Sequence, residues 1–174
     1  MSWINTQIEH LRLRAAEPED TALVLSFIRK IARYEKMEDQ VVATEATLRD
    51  ALFARRVCEC TLAYYQDKPV GFALYFENFS TFIGRAGMYL EDLYVDPEMR
   101  GKGIGKTLFC FVAALAESRG CQRMEWSCLD WNRPSIAFYK SMGAVPMDEW
   151  TVSRLAGGGI GRVAAQIRLD PPLG

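Results

Sequence analysis

Short alternations of apolar and polar positions interleave with longer helical periodicities along the chain, and the switches between them set an element order. Leu11-Arg12-Leu13-Arg14-Ala15 alternates and predicts an opening strand. Glu17-Pro18-Glu19-Asp20 is acidic and carries a proline, the chemistry of a helix start. Leu23, Phe27, Ile31 and Tyr34 then recur at helical spacing with Arg29, Lys30 and Arg33 between them, which predicts an amphipathic helix over about residues 21–36. Thr44-Glu45-Ala46-Thr47 opens a shorter helix carrying Leu48 and Leu52.

Residues 57–65 are rich in Cys, Thr, Leu, Tyr and Val, and the break Gln66-Asp67-Lys68-Pro69 separates them from a second apolar run over 70–76, so the pair predicts a hairpin. A strand over 88–95 stops at Asp96-Pro97, and a glycine-rich loop leads into a long buried helix through 107–116, ended by Gly120. A strand over 123–128 follows, and Asn132-Arg133-Pro134-Ser135 opens a helix through Lys140. The glycine run at 157–161 reads as a hairpin loop joining two final strands. This mixed order excludes a pure bundle or sandwich and predicts a three-layer α/β (α+β) sheet with helices on both faces. Neither a repeat nor a long linker divides the chain, so one domain over residues 1–174 is expected.

Composition narrows the function classes. The 21 basic and 22 acidic residues are interspersed and leave a net charge of −1, so no basic face points to a nucleic-acid partner. The chain starts without a basic, then apolar, leader, and no apolar run approaches the roughly 20 residues of a spanning helix, so a soluble, cytoplasmic protein without a membrane partner is expected. Five cysteines without a C-x-x-C pair read as reduced structural thiols, and no metal is expected. His10 is the single histidine and lies before the first strand, which argues against a hydrolase that needs histidine as its base.

The chemistry concentrates in Arg100-Gly101-Lys102-Gly103-Ile104-Gly105. A strand, a turn with glycines at alternate positions and an apolar helix bring free backbone N–H groups to a helix N-terminus, where phosphate is favoured. Arg100 and Lys102 add positive charge. The P-loop pattern nearly fits at Gly105-Lys106-Thr107 but needs glycine where Arg100 stands, and a dinucleotide fingerprint needs glycine at Lys106. A tight turn without a ligand needs fewer glycines than the three present.

The loop matches R-x-x-G-x-G, and the chain thereby resembles the GNAT superfamily of N-acetyltransferases, whose coenzyme A pyrophosphate loop has this pattern between a strand and a long helix. Asp130-Trp131-Asn132, Pro134-Ser135 and Ala137-Phe138-Tyr139-Lys140, followed by Met142-Gly143-Ala144, resemble the superfamily's C-terminal motif. The segments 32–41, 89–95 and 129–132 are similar to the diamine branch, the spermidine/spermine and thialysine acetyltransferases, and the likeness runs over about residues 11–150.

The resemblance implies a mixed, mostly antiparallel sheet, acetyl-CoA as co-substrate, and direct attack of a neutral amine on the thioester. It implies Glu91 as the base that deprotonates the amine and Tyr139 as the acid that protonates the departing sulfur. Strict strand alternation puts Asp92 on the face opposite Glu91 unless a bulge intervenes, and the superfamily carries a bulge near here. Cofactor contacts are implied for Leu93, Tyr94 and Val95, for Arg100, Gly101, Lys102, Gly103, Ile104, Gly105 and Lys106, and for Asn132, Pro134, Ser135 and Tyr139. Substrate contacts are implied for Tyr34, Glu35, Glu91, Glu125, Trp126 and Ser127, with acidic groups suited to a small diamine, polyamine or lysine-like amino acid. Asn132 caps its helix on either reading. Acetylation of protein or antibiotic amines and a non-catalytic acyl-CoA-binding module are the alternatives, and a homodimer, in some members with exchanged C-terminal strands, is implied by the family.

Overall fold

The computed structural model describes residues 2–167, which fall in two compact units that divide after Leu129. In the first unit six strands form one sheet in the order of the chain: β1 (Ile4–Asn5), β2 (Leu11–Ala15), β3 (Glu59–Tyr65), β4 (Lys68–Ser80), β5 (Arg85–Val95) and β6 (Met124–Glu125). Neighbours are antiparallel except β5 and β6, which run parallel. The helix α1 (Thr21–Tyr34) follows β2, α2 (Glu45–Arg49) continues through 50–54 in a wider turn closed by Arg55 N–H on Asp50 O, and α3 (Ile104–Ser118) follows β5.

The apolar run in β4 is buried on both sides, so its alternate residues serve two cores. Phe72 and Leu74 share a face with Cys60, Leu62 and Tyr94, and this face packs on Val24 and Phe27 of α1 and on Leu52. The rings of Phe27 and Phe72 stack with centroids 5.5 Å apart. Val95, one residue beyond Tyr94, points the other way, towards α3, where Leu108 and Val112 are fully buried. Gly71 is required where β4 crosses β5, because a Cβ there would lie 2.5 Å from the Tyr94 carbonyl oxygen.

Arg14 joins the start of α1 to the sheet. Its guanidinium donates to both carboxylate oxygens of Asp20, at 2.5 and 2.7 Å, and to the Tyr64 hydroxyl at 2.7 Å, while Asp20 also accepts the Glu17 N–H. The Arg14 partnership holds the Asp20 carboxyl below the usual range. The other end of α1 closes on two backbone bonds, Lys36 N–H to Arg33 O and Met37 N–H to Ala32 O, with Lys36 left-handed at φ 62°.

In the second unit, α4 (Arg133–Ser141) starts on Asn132, whose Oδ1 accepts the Ser135 N–H at 3.4 Å. The sequence predicts two strands around the glycine run, and here the structure differs. Residues 144–158 are irregular, and α5 (Gly159–Ala164) begins inside the run. Gly157 adopts φ 54° and Gly159 N–H bonds Ala156 O, a turn that feeds a helix instead of returning a strand. Glycine-run chemistry serves both uses; the end of the second expected strand lies outside the described residues. The strand expected over 123–128 is only the two residues of β6, because the ladder to β5 stops after Tyr89 and Glu125. The short β1, paired with β2, lacks any alternation long enough to read in sequence. No helix among the described residues is long and apolar enough to cross a membrane.

The left-handed Lys36 gives a direct test. Lys36→Gly removes the Cβ penalty and is expected to stabilise the protein by about 0.5–1 kcal/mol, read as a higher urea midpoint with an unchanged slope.

Candidate functional site

The site starts from one irregularity. Along β4 and β5, Leu74 pairs with Asp92 but the next residue, Tyr75, pairs with Leu90, so Glu91 is an extra residue in β5. A bulge of this kind breaks strict alternation and re-aims the side chains around it. Asp92 consequently shares the side of Leu74 and Tyr94 that packs towards α1, where it is half-buried, while Glu91 is exposed. Burial pushes the Asp92 carboxyl up to about 7, and the nearby charges of Glu91 and Glu35 push it the same way. Glu35, at the C-terminal cap of α1, is also raised by burial. The bulge and the helix end thus place Asp92 within the field of two further carboxylates, Glu91 and Glu35. Cys58 borders the group, its thiol raised by burial and then by Glu91 and Glu59.

Beyond the bulge, β5 diverges from β6. Their ladder covers Met88 with Met124 and Tyr89 with Glu125, and among the described residues the β5 edge facing β6 has no strand partner from Glu91 to Val95. The open edge of Leu93, Tyr94 and Val95 can bind an extended chain through its backbone groups, as an added strand would.

The same strand runs into the glycine loop. Gly101 and Gly103 adopt φ 76° and 81°, conformations that side-chain-bearing residues avoid, and Gly103 is the N-cap of α3. A Cβ at Gly101 would meet nothing within 4 Å, so the turn opens to its surroundings. The first helical bond is Thr107 N–H to Gly103 O at 2.9 Å, which leaves the N–H groups of Ile104, Gly105 and Lys106 ahead of the ladder. No acidic residue stands in the first turn of α3, and no side chain caps it. Arg100, Lys102 and Lys106 are exposed beside these donors. A pyrophosphate fits: it is anionic, needs several convergent N–H donors, and requires glycine for close approach.

The β6 side is tied more closely into the protein. Glu125 accepts from Asn78 Nδ2 at 3.0 Å and pairs with Arg123 at 3.0 Å. Trp126 packs edge-on against Phe109, and Ser127 hydrogen-bonds the Tyr89 hydroxyl at 2.9 Å. Tyr34 lies with its ring 4.8 Å from the Arg100 guanidinium. In the second unit, Pro134 occupies the first turn of α4, Ser135 donates to the Asn132 cap, and Tyr139 is half-buried beside Phe138, ring centroids 5.2 Å apart. Asp92, which strict alternation sets opposite Glu91, joins the site through the bulge. The adjacent acids Glu91-Asp92 on an otherwise apolar strand are its signal, masked by strict alternation.

A six-stranded sheet whose fifth strand carries a bulge, leaves its partner and ends in a glycine turn with uncapped N–H groups offers an open strand edge that leads to an anion-friendly helix start. The acetyltransferase (GNAT) family model matches residues 25–144, and the chain belongs to that family. It is an N-acetyltransferase that uses acetyl-CoA. Among curated relatives, a thialysine N-epsilon-acetyltransferase of Bos taurus is 37% identical over 83% of this chain and 92% of its own length, and one of Caenorhabditis elegans is 31% identical over 90% and 99%. Among solved structures, an integron cassette protein from the mobile metagenome of V. cholerae superposes with a TM-score of 0.74 at 30% identity, covering 89% of this chain and 98% of that one. An aminoglycoside acetyltransferase from a soil metagenomic sample, at 19% identity and a TM-score of 0.70 over 87% and 98%, shares the fold.

The raised Asp92 carboxyl has a consequence for stability. Its folded value, about 7, lies above the ordinary 3.8, so the native state holds this proton more tightly than the unfolded chain does. Its contribution therefore turns increasingly against folding as pH rises from about 4 to about 7, then levels off. Asp92→Asn should raise the melting temperature by a few degrees relative to the native protein at pH 8, with the gain fading to nothing near pH 4.

Proposed function

We propose that the enzyme acetylates a primary amine whose molecule carries a second positive charge: a small diamine, a polyamine or a lysine-like amino acid. The observation that carries this reading is the gathering of Glu35, Glu91 and Asp92 beside the bulge, at the near end of the open β5 edge. Relatives support it by their names, the thialysine acetyltransferases above and an L-ornithine N5-acetyltransferase of Arabidopsis thaliana, 29% identical over 84% of each chain.

In this reading the thioester of acetyl-CoA supplies the acetyl group. Arg100 to Lys106 hold the pyrophosphate on backbone N–H groups and positive charge, and Leu93 to Val95 align the pantetheine arm along the strand edge, where a backbone N–H polarises the thioester carbonyl. A primary amine with an ordinary value near 10.4 arrives protonated, and the attacking nitrogen must shed that proton. Glu91 takes it, directly or through water. Asp92, poised near neutrality, is matched to share that role. Glu35, with Tyr34 and the segment from Glu125 to Ser127, faces the rest of the acceptor. By the family's pattern, Asn132, Pro134 and Ser135 are assigned as further cofactor contacts, and Tyr139 gives the departing sulfur its proton.

We further propose that residues 1–174 act as a single catalytic domain. Cys58, Cys60, Cys110 and Cys121 are thiols, which supports a cytoplasmic setting. The exposed apolar side chains of Val145, Met147, Trp150 and Val152 support a homodimer.

A thiol-release assay with acetyl-CoA across matched acceptors tests the function. A diamine or lysine-like amine should exceed the monoamine of equal length by about 10–100-fold in kcat/KM, the worth of one charge-assisted contact. Tyr139→Phe should lower kcat about a hundredfold with coenzyme A affinity unchanged. Equal use of monoamines and diamines would refute the acceptor class, and full turnover by the phenylalanine variant would remove Tyr139 from the chemistry.

A further inference from the structure

The arginine that opens the glycine loop is held in place before any ligand arrives. Its Nε donates to the Val95 carbonyl oxygen at 3.1 Å, and its guanidinium carbon lies 4.8 Å from the Tyr34 ring centroid and 5.9 Å from that of Tyr94. Strand β5 contributes two of these contacts, through Val95 and Tyr94, and helix α1 the third, through Tyr34. Among the described residues the Arg100 guanidinium has no carboxylate partner, so its full charge remains for an anion. A flexible arginine loses rotamer freedom when it binds, and one already fixed by rings and a carbonyl has lost it on folding.

A carboxylate that could capture Arg100 stands close by. Asp96 ends β5, its N–H bonds Val70 O and its carbonyl accepts the Met99 N–H, so it anchors the turn that leads to the loop. Its side chain is buried and lies against the Tyr94 hydroxyl, on the residue over whose ring Arg100 sits. Lys30 reaches from the middle of α1 to pair with it, Nζ to Oδ1 at 2.7 Å, with the same ammonium 4.9 Å from the Phe27 ring centroid. The lysine satisfies the acid whose charge would otherwise draw the arginine inward.

We propose that Lys30 and Asp96, with the rings of Tyr34 and Tyr94, are positioning residues that keep the Arg100 guanidinium turned out for the cofactor's pyrophosphate. Lys30 acts by occupying Asp96. Tyr34 thereby serves the cofactor side of the site as well as the acceptor. The proposal rests on the reading of the glycine loop as a pyrophosphate site.

Acetyl-CoA and acetylpantetheine, which has the same thioester without the pyrophosphate, separate the two ideas. The native enzyme should have a much lower KM for acetyl-CoA; equal KM values would overturn the pyrophosphate reading and the proposal with it. Given that preference, Lys30→Met should raise the acetyl-CoA KM about tenfold while kcat, and kcat/KM for acetylpantetheine, stay within twofold. Lys30→Arg should restore the native KM, and in an Arg100→Ala background Lys30→Met should add nothing. An unchanged acetyl-CoA KM in Lys30→Met, a parallel loss with both donors, or full additivity with Arg100→Ala would each overturn the clamp while leaving the loop's role intact.

Discussion

One extra residue in β5 governs the arrangement of the site. With Glu91 inserted opposite a single register step of β4, the strand on its two sides follows different alternations. Upstream, Met88 and Leu90 are buried in the sheet and β6 still pairs. Downstream, Asp92 and Tyr94 turn towards α1, Val95 turns towards α3, and the far edge of the strand has no neighbour among the described residues. A regular strand would keep Asp92 and Glu91 on opposite faces and carry the pairing onward, removing both the shared acidic field and the open edge.

The strand's position between two cores explains why the chain tolerates this defect. Phe72 and Leu74 lock one face of β4 against α1, and the Gly71 contact with the Tyr94 carbonyl fixes the crossing to β5 just beyond the bulge. The bulge is held by packing on both sides, so the cost of crowding carboxylates is borne by a rigid part of the protein. Half-buried acids near one another destabilise the folded state while ionised, and such strain collects at functional sites. A cationic acceptor would relieve it, so the same feature that weakens the fold selects the ligand.

Much of this was legible in the residues. Leu11 to Ala15, the spacing of Leu23, Phe27 and Ile31, and the glycines at 101, 103 and 105 are local signals, and each led to the element or turn that forms. Asn132 capping α4 was equally local. The bulge could be expected only from resemblance, because register depends on which residues of β4 stand opposite, and that is a long-range fact. The side that Asp92 takes depends on the same register. The glycine run at 157–161 misled because a turn into a strand and a turn into a helix draw on the same residue type. The ties of Glu125 to Arg123 and Asn78 and the aromatic seat of Arg100 join residues far apart in sequence, which no local pattern reports.

The coupling of the three carboxylates is the central claim, and titration of the Asp92 side-chain carboxyl by carbon NMR measures it most directly. The carboxyl should titrate near 7 in the native protein, and its midpoint should fall when Glu91 is replaced by glutamine and fall again when Glu35 is replaced as well. A midpoint in the ordinary aspartate range, or one that ignores both replacements, would contradict the claim.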